Sequence, residues 1–99
     1  MNDKRFNQLS NAEDERLSIL VEELGEAIQI IGKIKRFGYK SFHPHDKDEI
    51  TNRSLLEEEL GHIQSIVGLM VENKDLRPDS IDYHGRTKSH NRGKYLKHQ

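Results

Sequence analysis

Cysteine is absent from the 99-residue sequence, which removes a disulfide framework, a thiolate metal site and a cysteine nucleophile from consideration. No apolar run approaches the ~20 residues that a membrane span needs. The polar start, Met1 to Gln8, lacks the hydrophobic stretch of a signal peptide. Nor is there a surplus of one charge: 16 Lys and Arg stand against 17 Asp and Glu. A dedicated nucleic-acid binder usually carries a basic excess, so none is expected as a partner. Together these absences point to a cytoplasmic protein with no membrane association. Apolar residues are scarce as well, at 32% against 33% charged, and a chain this short then buries too little surface to be comfortably stable alone. The expectation is one all-α domain over residues 1–99, completed by homo-oligomerisation as a dimer or tetramer.

What is present is helical periodicity. Ser10 with Glu13 three residues later has the form of a capping box. Leu17, Leu20, Val21, Leu24, Ala27, Ile28, Ile31 and Ile34 then recur at the spacing of a helix, and Gly38 supplies a C-terminal stop. A first helix over about residues 11–37 follows. From Gly38 to Thr51, a proline, two histidines and three acidic residues read as a loop. A second helix opens at Thr51, Asn52 or Ser54, with Ser54 and Glu57 as another candidate capping box. It runs through Leu55, Leu56, Leu60, Ile63, Ile66, Val67, Met70 and Val71, and Asn73 to Pro78 ends it. The last segment, 79–99, has Ile81, Tyr83, Tyr95 and Leu96 as its sizeable apolar residues, and Gly85 and Gly93 lower its helix propensity. It is expected to form a third helix or mobile tail that orders on a partner or ligand. The architecture is then an antiparallel helical bundle of two long helices plus a C-terminal helix.

One echo runs between the long helices. Glu22-Glu23-Leu24-Gly25-Glu26 is matched by Glu58-Glu59-Leu60-Gly61-His62. Glu13, Asp14, Glu15, Glu57 and Glu72 suit a solvated helix face. At about 100° per residue, however, Glu23 and Glu26 share an arc with Ile19, Ile30 and Ile34, while Leu17, Leu20, Val21, Leu24, Ile28 and Ile31 form a second apolar arc. A helix apolar on two sides is usually buried on two sides. Glu59 sits between Leu55 and Ile63, one turn away on either side. A buried carboxylate costs several kcal/mol unless it is paired, protonated or bound to a metal. Glu23 and Glu26 lie three apart, as do Glu59 and His62, so each pair projects from one side of its helix. Facing one another, they form an oxygen-rich nest suited to Mg²⁺ or Mn²⁺. Buried salt bridges with Lys33, Lys35 or Arg36 are the competing account. Gly25 and Gly61, each costing about 1 kcal/mol against alanine in a helix, suggest close approach of the two backbones at this level.

Glu22-Glu23-x-x-Glu26 followed by Glu59-x-x-(Asp) resembles the signature of the MazG-like, all-alpha nucleoside triphosphate pyrophosphohydrolases, EExxE on one helix and ExxD on the next. The stretches LSNAEDERLSILVEELGEAIQIIGKIKRFGYKS, NRSLLEEELG and KYLKHQ are similar to small stand-alone members, in matching order over most of the chain. The resemblance implies hydrolysis of an NTP or dNTP between the α- and β-phosphates, giving a monophosphate and pyrophosphate. It makes Glu22, Glu23, Glu26 and Glu59 the Mg²⁺-site carboxylates, one of them also orienting the attacking water. Lys33 and Arg36, with Lys88, Arg92, Lys94 and Lys97 in the tail, would balance and clamp the phosphates; a solvated basic helix end explains the tail equally well.

The sequence departs from that pattern at His62, where the family has aspartate. Imidazole nitrogen suits Mn²⁺, Co²⁺ or Zn²⁺ better than Mg²⁺. An altered metal preference, one metal fewer, or nucleotide binding without hydrolysis would each follow, and His62 bonded to a neighbouring glutamate is a further outcome. His43 and His45, flanking Pro44, form a weaker candidate metal pair that an exposed loop explains as well. The spacer between Glu26 and Glu59 is somewhat long, which the loop from Gly38 to Thr51 absorbs.

Overall fold

The computed structural model describes residues 6–99; Met1 to Arg5, the greater part of the polar start, lie outside the described residues. Among the described residues the architecture is all-helical: α1 (Asn11–Phe37), α2 (Asn52–Glu72), α3 (Pro78–Asn91) and a 3₁₀ turn (Arg92–Lys94). No described helix is long and apolar enough to cross a membrane.

Local chemistry sets the helix ends. The Ser10 hydroxyl accepts the Glu13 backbone N–H at 3.0 Å, and Glu13 Oε1 accepts the Ser10 N–H at 2.8 Å. This completes the reciprocal cap read from the sequence. Gly38, at φ 91°, ends α1 in a conformation that favours glycine. Thr51 caps α2, accepting the Ser54 N–H at 3.2 Å. Ser54 is therefore already the third helical residue, and the expected Ser54–Glu57 box does not form because the helix begins before it. At the other end Lys74 N–H donates to Val71 O at 3.0 Å and Asp75 N–H to Met70 O at 2.8 Å. These are the two bonds of a Schellman stop, with Lys74 at φ 65° where glycine is usual.

α1 and α2 lie antiparallel. Arg16 near the start of α1 meets Asp75 just beyond α2, Glu23 meets His62, and Asn52 Nδ2 donates to Gly38 O at the loop end. The seam is a regular 4-3-4-3-4 alternation. On α1 it runs through Arg16, Leu20, Glu23, Ala27, Ile30 and Ile34; on α2 through Asn52, Leu56, Glu59, Ile63, Ile66 and Met70. That spacing keeps one stripe of each helix facing the other, as in a two-stranded coiled coil. Among the described residues Ala27, Ile66 and Met70 are the buried apolar ones, and Arg16 clamps Asp75 through one guanidinium edge, Nε donating to Oδ2 (2.5 Å) and Nη2 to Oδ1 (2.9 Å).

Within the single chain α1 is covered on one side: Leu17, Val21, Leu24, Ile28 and Ile31 are 37–69% exposed, because the seam runs through the other arc and takes only Leu20 from this one. The close-packing account of Gly25 and Gly61 needs correction. A Cβ at either position meets nothing within 4 Å, since both point away from the seam. α3 forms as expected but has no buried residue. The radius of gyration, 17.7 Å, accordingly exceeds the roughly 13 Å of a compact domain of this length.

Candidate functional site

The heptad-like seam carries Glu23 and Glu59 at positions where a core side chain would ordinarily sit. The two facing helices therefore bring two carboxylates together away from water. Glu59 is 5% exposed. Glu23 Oε2 and Glu59 Oε1 are both buried without a hydrogen-bond partner. His62, one turn beyond Glu59, closes the group: its Nδ1 lies 3.1 Å from Glu23 Oε2 and 3.7 Å from Glu59 Oε2. The short contact to Glu23 lacks hydrogen-bond geometry, since the same oxygen is unpartnered, so it is an electrostatic contact only. One donor atom from each of Glu23, Glu59 and His62 falls within 4.8 Å of the others.

The electrostatics follow from that placement. Burial, then hydrogen bonding with Glu23 and with Glu26, and then the repulsion of those two carboxylates push the Glu59 carboxyl up to about 7. Two negative charges at this spacing in a half-dry seam are mutually unfavourable. Either a proton on Glu59 or a cation between the two carboxylates would relieve the conflict. Buried salt bridges were the competing expectation. Among the described residues, neither Glu23 nor Glu59 is paired with Lys33, Lys35, Arg36 or any other lysine or arginine.

The remaining predicted residues are distributed more widely. Glu26 is exposed at the rim yet within reach of Glu59. Glu22 is exposed and outside the group of donor atoms, because it projects a full residue step, about 100°, from Glu23. Glu58 was missed by sequence reasoning: its Oε1 lies 3.9 Å from His62 Nε2, an i,i+4 pairing that spacing alone makes readable. Glu72, assigned to a solvated face, is exposed and also lines a cleft of about 630 Å³ together with Glu23, His62, Ser65 and Leu69.

The predicted phosphate-binding cations are not gathered at these carboxylates within the chain. Lys33 and Arg36 line a different cavity, beside the 38–51 loop; Lys33 is ten residues beyond Glu23, or about 15 Å along the helix. Lys88, Arg92 and Lys94 lie exposed on α3 and the 3₁₀ turn, where Lys88 Nζ sits 5.5 Å from the Tyr95 ring centre. Nor do His43 and His45 form a ligand pair: His43 Nδ1 accepts the His45 backbone N–H at 3.1 Å, which occupies one nitrogen of the pair.

The donor set fits a divalent cation. Its two orphaned carboxylate oxygens have no lysine or arginine partner among the described residues, and one nitrogen among the oxygens favours Mn²⁺, Co²⁺ or Zn²⁺ over Mg²⁺. No known family, curated protein or solved structure matches the chain.

Proposed function

We propose that this protein is a metal-dependent nucleotide pyrophosphohydrolase that cleaves the α–β phosphoanhydride of an NTP or dNTP. The observation that carries the reading is the pair of buried, unpartnered oxygens, Glu23 Oε2 and Glu59 Oε1, presented by facing helices beside His62. Their positions coincide with the EExxE and ExxD glutamates of the MazG-like pattern that the sequence resembles. Glu23, Glu59 and His62 would hold the cation, Mn²⁺ or Mg²⁺. When bound, such an ion offsets the negative charge of a polyphosphate and lowers the pKa of a coordinated water. Glu26, exposed at the rim, would orient the attacking water. Ile19, Ile66 and Leu69 form the apolar part of the cleft's lining. Lys88, Arg92 and Lys94 belong to a segment with no buried residue and supply the counter-charge to the phosphates when it closes over the cleft of its own or a second subunit.

Self-association belongs to the same reading. The stripe of Leu17, Val21, Leu24, Ile28 and Ile31 follows a 4-3-4-3 spacing on the outer face of α1, which suits it to another helix. Val21→Glu or Ile28→Glu should shift the molecular mass in light scattering toward the monomer. An unchanged mass would remove this stripe from the interface.

The assay for activity is pyrophosphate release from a panel of NTPs and dNTPs with Mg²⁺ or Mn²⁺. Activity should be higher with Mn²⁺ and lost in Glu23→Gln and Glu59→Gln. No release from any nucleotide, or glutamine variants as active as wild type, would overturn the assignment. The contact between His62 and Glu23 favours a second reading, a catalytically weakened nucleotide-binding or interaction module of the same fold. That reading predicts binding without turnover in wild type and a sharp gain of activity in His62→Asp.

A further inference from the structure

The second cavity lies at the opposite end of the hairpin from the Arg16–Asp75 clamp, where the loop of residues 38–51 folds back on α1 and α2. It has a volume of about 440 Å³, inside the roughly 300–1,000 Å³ typical of small-molecule sites. It shares no lining residue with the carboxylate cleft.

Its lining divides into two kinds of surface. Lys33 and Arg36 supply charge, and among the described residues neither is ion-paired. The single acidic residue of the lining, Asp46, is already committed: Oδ1 accepts the Asp48 N–H at 3.0 Å and Oδ2 the Ile50 N–H at 2.9 Å. It therefore shapes the loop and, among the described residues, forms no ion pair with either cation. His43 Nδ1 accepts a backbone N–H, which leaves Nε2 as the ring nitrogen that can donate. Phe37, Phe42, Ile50 and Leu55 form the apolar part, and the Arg36 guanidinium lies 5.7 Å from the centre of the Phe37 ring.

The walls are built before any ligand arrives. Asn52, 6% exposed, ties the start of α2 to the loop through Nδ2–H to Gly38 O (3.1 Å) and N–H to Ser41 O (2.8 Å). Arg53 N–H donates to Tyr39 O at 3.0 Å. Loops longer than about 12–15 residues without their own secondary structure are uncommon and usually functional or disordered. In this one the backbone N–H groups of His45, Asp46, Asp48, Glu49 and Ile50 all donate within the loop. A preorganised wall lowers the ordering cost of binding.

Unpaired cations beside exposed aromatic faces call for a ligand that is anionic at one end and flat at the other. We propose that this cavity is a binding site for a small anion carrying a planar ring, with a nucleoside monophosphate as the chemical class. Lys33 and Arg36 would take the anionic group by charge-assisted hydrogen bonds, and Phe37 and Phe42 would cover the ring. The site stands about 15 Å along α1 from the carboxylates, and its occupancy does not depend on a divalent cation.

Titration calorimetry in EDTA separates this site from the carboxylate cleft, which needs a metal to hold phosphates. The probes are AMP and CMP, adenosine, inorganic phosphate, and benzoate as a ring anion of another source. Both monophosphates should bind, with adenosine and phosphate each at least about tenfold weaker, because each lacks one half of the recognition. Arg36→Gln and Phe42→Ala should each weaken AMP binding by about tenfold or more; Arg36 is exposed, so its exchange leaves the melting temperature unchanged and fold loss is not at issue. Phosphate binding as tightly as AMP, or AMP binding untouched by Arg36→Gln, would refute the site. Benzoate binding as tightly as AMP would overturn the nucleotide class. Loss of pyrophosphate release in the separate activity assay would leave these titrations unaffected, so the two assignments fail independently.

Discussion

Exchange of Glu59 for glutamine tests the reasoning about the seam most directly. Glutamine keeps the size of the side chain, removes its charge, and offers an amide that can donate to Glu23 Oε2, one of the two orphaned oxygens. The Glu59 carboxyl is raised from 4.5 to about 7 in the folded chain. A raised carboxyl pKa means that the folded state holds a proton the unfolded chain releases between those values. Stability from that proton is present at pH 4.5 and is lost as pH rises through 7. In mid-window a one-proton linkage changes the folding equilibrium constant by close to tenfold per pH unit; over a 2.5-unit gap this accumulates to about two decades. The assay is urea unfolding in EDTA at fixed protein concentration, at pH 5, 6, 7 and 8. Wild type and Glu59→Gln should have similar midpoints at pH 5 and diverge until about pH 7, with the variant more stable above it. Saturating Mn²⁺ at pH 8 should reverse the order. A ligand at 100 times its Kd adds about 2.7 kcal/mol to the state that binds it, and the glutamine variant lacks the ligand carboxylate. A difference between the two proteins that stays constant from pH 5 to 8, or a variant less stable than wild type at pH 8 in EDTA, would refute the argument.

Three further outcomes are expected. Arg16 holds the Asp75 carboxyl below its ordinary value through hydrogen bonds and charge. That stability is present above the unfolded carboxylate pKa and lost as pH falls through the depressed one, so Arg16→Ala should unfold at a higher pH in an acid titration followed by circular dichroism. Met70, 2% exposed, should cost about 2–5 kcal/mol on truncation to alanine, lowering Tm by at least about 8 °C for a domain of this size; an unchanged Tm would mean the seam repacks. Lys74→Gly should stabilise by roughly 0.5 kcal/mol in chemical denaturation. Relief of a left-handed non-glycine residue is worth about 1–2 kcal/mol, less the roughly 0.5–1 kcal/mol of extra freedom glycine has when unfolded.

Local chemistry made much of the fold legible. Ser10 and Glu13 satisfy each other's backbone groups without help from distant residues, and Gly38 supplies a conformation that most residues avoid, so the bounds of α1 follow from sequence alone. The start of α2 was less determinate. Thr51, Asn52 and Ser54 offer similar capping oxygens, and the choice fell to Thr51 as Asn52 turned inward to hold the loop. Glu23 and Glu59 were legible as unusual because they interrupt apolar arcs.

Sequence by itself therefore determined the two long helices, the caps of α1 and the suspicion attached to those two carboxylates, all of which rest on interactions within a few residues. Tertiary structure decided which arc of α1 became the seam, and with it that Glu23 is half-buried while Glu22 is exposed. It also decided that Gly25 and Gly61 face open space, that Glu58 reaches His62 and Glu72 lines the cleft, and that Lys33 and Arg36 belong to another cavity. Each of these depends on how two helices are rotated against each other and on where the chain leaves them. Periodicity specifies an apolar face and says nothing of what will cover it.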